Sequence, residues 1–131
     1  MKNFIIAFFS FLVLDFVWLG LVVKKFNMEM LAEIGRFKDG QFDLLYVPAI
    51  ATYVLMAAAI AIFVVPKIAG PDDWLNVVIY GGLMGVVVFG IFDLTNLAIL
   101  KNYPMLFAVV DMAWGTFAFI AVSAIVKKFG V

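Results

Sequence analysis

The sequence predicts an all-α protein, a four-helix transmembrane bundle with a short amphipathic surface helix between helices one and two. Three observations carry this. Four apolar stretches are each long enough to cross about 30 Å of hydrocarbon, which takes about 20 helical residues. The composition is 67% hydrophobic and only 14% charged, with a mean hydropathy of +1.18. Soluble domains run at about 45–50% apolar and about 25% charged. A 131-residue soluble fold leaves much of its surface in water and could not hide so much apolar area. In lipid, open strand edges have no partner, so the spans are expected to be helices.

The first span runs over residues 4–23. A leading Lys2 followed by an apolar run also suggests a secretory signal, but the run is span length rather than the ~7–15 residues of a signal core, and no small-x-small cleavage site follows. The connection from Lys24 to Asp43 carries Phe26, Met30, Ile34 and Phe37 at helical spacing, with Lys25, Glu29, Glu33 and Arg36 elsewhere on the wheel. That pattern predicts a short helix lying on the membrane surface. The second span covers 44–65, with Pro48 near its start as a candidate kink, and Pro66, Gly70 and Pro71 as its terminators. The third covers 75–100, with Asp72 or Asp73 as its cap and Trp74 at the interface. The fourth covers 105–126, opened by Pro104 at a helix start. The whole of 1–131 reads as a single integral membrane domain. Gly81, Gly85, Gly90, Ala57, Ala61, Gly115 and Ala118 mark faces where helices can approach closely.

Composition also removes chemistry. The nine basic and nine acidic residues cancel, and no basic patch exists outside the helix flanks, so nucleic acid is not expected as a partner. There is no Cys and no His, hence no thiolate metal site, no Cys nucleophile, no imidazole base and no commonest transition-metal ligand. No cofactor and no metal site are expected. The face bearing both termini and the 66–73 turn (side A) holds Lys2, Lys67, Lys127 and Lys128. The opposite face (side B) holds Lys24, Lys25, Arg36, Lys38 and Lys101. Four against five does not fix orientation, although the Lys24–Lys25 pair tips it toward a cytoplasmic side B.

Three aspartates lie inside the spans: Asp15, Asp93 and Asp111. A carboxylate at mid-bilayer costs about 2.5–3.5 kcal/mol or more, so such residues normally face the bundle interior and mark a site. At 1.5 Å per residue, all three fall ~10–12 Å below the side-B boundary, and Thr52 and Tyr53 fall at the same depth. Each Asp has a partner three residues on, roughly on its own helical face: Trp18, Asn96 and Trp114. The candidate ligand- or proton-binding set is therefore Asp15, Trp18, Tyr53, Asp93, Asn96, Asp111 and Trp114, expected to converge on one cavity.

 The catalytic role of any of them is left unassigned by the sequence.

The D-x-x-W-L-G string at Asp15, the F-D-L-T-N-L-A string around Asp93, with Tyr103-Pro104 soon after it, and the V-D-M-A-W-G string around Asp111 carry a resemblance. The chain resembles, end to end, a family of small, predicted four-helix integral membrane proteins of bacteria with unknown function. The resemblance implies four spans, a long first connection, and a multi-pass place in the bacterial cytoplasmic (inner) membrane. It brings no activity.

Three carboxylates so close cannot all stay ionised without a counter-cation: either some are protonated or a cation sits among them. One function class is a transporter or proton-coupled permease, with Trp18, Trp114 and Tyr53 as cation–π faces for an organic ammonium. Its size, its four spans and the acidic residue in helix one are similar to the small multidrug exporters in architecture alone. A second class is an intramembrane enzyme acting on a lipid or isoprenoid, with paired Asp residues exchanging protons or holding a hard divalent ion. Ser10 and Ser123 lie far from the layer, and no nucleophile motif stands beside it. A third is a structural role, in which Asp, Asn and Trp hydrogen-bond across helices at about 0.6–2 kcal/mol each. The partners expected are the lipid bilayer and a cation or lipid-like ligand; a homo-oligomer or an accessory place in a larger complex stays open.

Overall fold

A computed structural model describes residues 1–131. Four helices are long and apolar enough to cross a membrane: α1 (Lys2–Val22), α3 (Tyr46–Ile68), α4 (Trp74–Ile99) and α5 (Met105–Phe129). Between the first two stand a short helix α2 (Lys24–Met30) and a two-stranded hairpin, β1 (Phe37–Lys38) and β2 (Gln41–Phe42). The outside of the bundle is apolar: Phe9 and Phe16 on α1, Ile62 and Phe63 on α3, Ile91 and Phe92 on α4 and Phe117 on α5 are all exposed. A helix hydrophobic all round belongs in lipid.

The buried share of the apolar stretch rises from 17% in α1 to 33% in α5, which makes α5 the central helix. It packs on α4 along one side and on α1 along the other; α3 packs on α1 and meets α4 chiefly near the 66–73 turn. The core is small and interdigitated: Phe11 and Phe119 tilt against each other at 4.8 Å, surrounded by Ala7, Ala57, Ile60 and Val122. The closest approach is between α4 and α5. A Cβ on Gly85 would lie 2.6 Å from the Gly115 carbonyl and 2.7 Å from Thr116 Cα, so only glycine lets these backbones meet.

Three spans contain a π-helical turn: Trp18–Val22, Ile60–Val64 and Val77–Gly81. The second has a local cause. Pro66 has no N–H to give Ile62, and its ring would press on that carbonyl; widening the preceding turn lets Val65 N donate to Ile60 O instead. The chain therefore stays helical through Pro66 to Ile68, where the sequence suggests a stop at Val65. Pro48 causes no kink, because it sits in the first turn of α3, where backbone N–H groups have no intrahelical partner. Asp73 precedes α4 at the cap position but makes no side-chain cap; its Oδ2 accepts from Gly70 N at 2.9 Å and tightens the turn.

The surface helix is shorter than its apolar stripe. It ends at Met30; Ile34 lies in a turn, and Phe37 is on β1, stacked on Phe42 at 4.7 Å. Asp39 and Gly40, at φ 52° and 74°, form the two-residue turn between the strands, and an Asp-Gly pair suits the left-handed conformation at both positions. The hairpin geometry overrides the helical spacing there.

Candidate functional site

Asp15 is carried on the last α-helical turn of α1, just before the π turn, and is 8% exposed. Trp114 of α5 donates from Nε1 to Asp15 Oδ1 at 2.9 Å. The Trp114 ring stacks on Trp18 of α1, with centroids 4.4 Å apart and planes within 5°. Tyr53 of α3 brings its hydroxyl toward the same carboxyl. Three helices thus converge on Asp15. The neighbouring Thr52 does not take part: it is exposed, and its hydroxyl donates to Pro48 O at 3.0 Å.

The second group forms where α4 and α5 meet. Asp93 is completely buried. Tyr103, in the short connection between these helices, donates its hydroxyl to Asp93 Oδ1 at 2.6 Å, a short bond of the kind a phenol makes to a carboxylate. Asn96 approaches the same phenol. Asp111 of α5 lies within hydrogen-bonding reach of Asp93 and within electrostatic reach of Asp15. Asp93 Oδ2 is buried and receives no donor. Burial, with the Asp93 bond adding to it, pushes the Tyr103 phenol above its ordinary value.

The residues expected to share one open cavity therefore fall into two adjoining clusters. Asp15, Trp18, Tyr53 and Trp114 make one; Asp93, Asn96, Asp111 and Tyr103 make the other. The three carboxyls do not come together as a metal-ligating set. Two open grooves stand nearby, and neither is lined by Asp15, Asp93 or Asp111. One, of about 400 Å³, is formed by Trp18, Val110, Ala113, Trp114 and Phe117 on the outer side of the indole pair. Tyr103 is the functional candidate that sequence reading passes over. Its signal was the Tyr-Pro pair one helix start after the Asp93 string, but a loop tyrosine has no helical periodicity to aim it inward.

At the opposite end, Lys127 is buried and donates from Nζ to Ile68 O at 2.7 Å and to Gly70 O at 2.5 Å. It thereby satisfies carbonyls left open at the end of α3, where a cation also suits the helix dipole.

Residues 1–127 match the family described as "Predicted membrane protein (DUF2177)". No curated protein and no solved structure matches the chain. The match extends from the first residue of α1 almost to the end of α5, so the chain belongs to this family of membrane proteins.

Proposed function

We propose that this protein binds and exchanges a proton or a small cation within the membrane, through the layer of Asp15, Trp18, Tyr53, Asp93, Asn96, Asp111 and Trp114, of which Asp15 and Asp93 are buried and the rest half-buried. The observation that carries the reading is Asp93: fully buried, one oxygen without a donor, and a second carboxyl beside it. Buried polar atoms are nearly always paired, and a carboxylate can only accept. A proton or cation between Asp93 and Asp111 would supply what the protein itself withholds. The only lysine buried in the helices, Lys127, is committed to the other end of the bundle.

The test is an infrared titration of carboxyl bands in the purified protein, wild type against Asp93→Asn. The wild type is expected to keep a protonated-carboxyl band or a bound cation at neutral pH, and the variant to lose that uptake while staying folded. Three ionised carboxylates with no bound cation would sink the reading, and so would an unchanged titration in the variant.

A second reading has its own support. The apolar groove beside Trp18 and Trp114 opens on the lipid-facing side of the pair whose indole N–H holds Asp15. An amphipathic cation arriving from the bilayer would meet aromatic faces first and a carboxyl behind them. An enzyme acting on a lipid is less well supported: Ser123, the buried hydroxyl without a partner, packs at Gly81, twelve positions before Asp93 on α4, or ~18 Å along the helix.

A further inference from the structure

A proton held by Asp93 and Asp111 has to come from water, and Asp93 has no exposed surface. Tyr103 stands between Asp93, its hydrogen-bond partner, and the side-B turn, while Asp111 is half-buried. It belongs to the turn after α4, beside the exposed Lys101 and Asn102, yet its ring points inward and is only 8% exposed. Its hydroxyl reaches Asp93 Oδ1, and Asn96 approaches the same phenol. The ring meets Phe107 edge-on at 5.5 Å. Phe26 and Met30 of α2, with Leu31 and Leu97, close over this cluster.

We propose that Tyr103 is the relay through which side-B water exchanges protons with the Asp93–Asp111 pair, and that α2 covers this relay. The inference rests on the proton-binding reading above. A hydroxyl both donates and accepts, so it can pass a proton without becoming charged. In the uptake step, a hydronium ion on side B gives a proton to the phenol oxygen as the phenol's own proton moves to Asp93 Oδ1. One O–H bond forms on the phenol and one breaks; water is left outside, and Tyr103 ends neutral. Release is the reverse. The charged groups facing this path are Asp93 from α4 and Asp111 from α5, with Asp15 of α1 acting on Asp111. From α2 the path meets Phe26 and Met30, while Lys24 and Lys25 are exposed.

The experiment follows hydrogen–deuterium exchange of the protonated-carboxyl infrared band, using the full chain in phosphatidylcholine nanodiscs. The component read is the one that Asp93→Asn removes. Tyr103→Phe is expected to keep that band and to slow its exchange about a hundredfold, the lower end of what a positioned proton donor contributes. Phe26→Ala combined with Met30→Ala is expected to speed exchange by opening the cover. A band that exchanges as fast in Tyr103→Phe as in the wild type leaves the proton-binding reading standing and overturns the relay. No band in the wild type overturns both. If Tyr103→Phe fails to fold, the α2 variant decides: exchange no faster than wild type overturns the proposal.

Discussion

Trp114 is held twice, by stacking on Trp18 and by its N–H bond to Asp15. That bond is the aligned donor to Asp15, so Trp114→Phe would keep much of the aromatic packing and leave a buried carboxyl oxygen unpaired. The expected cost is about 1–3 kcal/mol, seen as a lower thermal midpoint in detergent. An unchanged midpoint would show that Tyr53 alone satisfies Asp15. Tyr103 gives a different signature, in pH. Its folded-state phenol is raised above the ordinary 10.0, mainly by burial and then by the Asp93 bond. The folded state therefore holds this proton more tightly than the unfolded state, and the stability it contributes is complete below about pH 10 and lost as pH rises further. Wild type should lose stability above about pH 10 more steeply than Tyr103→Phe; parallel curves would contradict this. Part of the site was legible in the sequence. Common depth and the three-residue steps pick out Asp15–Trp18, Asp93–Asn96 and Asp111–Trp114. The pairings across helices were not. Trp114 finds Asp15 across 99 positions, and helices that are apolar on every side carry no periodicity to say which face turns inward.

At the scale of elements, hydropathy and length suffice for the four spans because the bilayer, rather than a core, sets both. Small departures have local causes. Pro66 widens a turn instead of ending the helix, and Asp39–Gly40 imposes a hairpin on a stripe that reads as helix. The Asp-Gly signal was present in the sequence; it competes with an apolar spacing of similar strength. The π turns at Trp18–Val22 and Val77–Gly81 have no comparable sequence mark. Small residues are informative where they come in facing pairs, and Gly85 against Gly115 sets the distance at which α4 and α5 hold Asp93 beside Asp111. Gly85→Ala would drive a methyl into the backbone of α5, which cannot move aside like a flexible side chain. The expected loss is about 1–3 kcal/mol. Gly20→Ala is the matched control, since a Cβ there meets nothing within 4 Å. Equal effects of the two substitutions on thermal stability would refute the close-approach account.

Across the whole molecule, four crossings return the chain to its starting face, so Lys2 and Lys128 should lie on one side of the membrane and Lys25 and Lys101 on the other. All four are exposed, and each can be replaced by cysteine in a chain that has no other. A membrane-impermeant thiol reagent added to sealed vesicles should label the first two together and the last two together. Labelling of Lys2→Cys and Lys128→Cys from opposite sides would overturn the topology. The same experiment reads orientation. Lys127 adds little to the free charge of side A, because it is buried against the Ile68 and Gly70 carbonyls. That leaves Lys2, Lys67 and Lys128 free on side A, against Lys24, Lys25, Arg36, Lys38 and Lys101 on side B. Positive charge in short loops and flanks is retained on the cytoplasmic face, so Lys25→Cys and Lys101→Cys should react from that face. The Tyr103 relay opens on side B, and it would then exchange its protons with the cytoplasm. Reaction of Lys25→Cys from the outer face would reverse that direction while leaving the four-span topology intact.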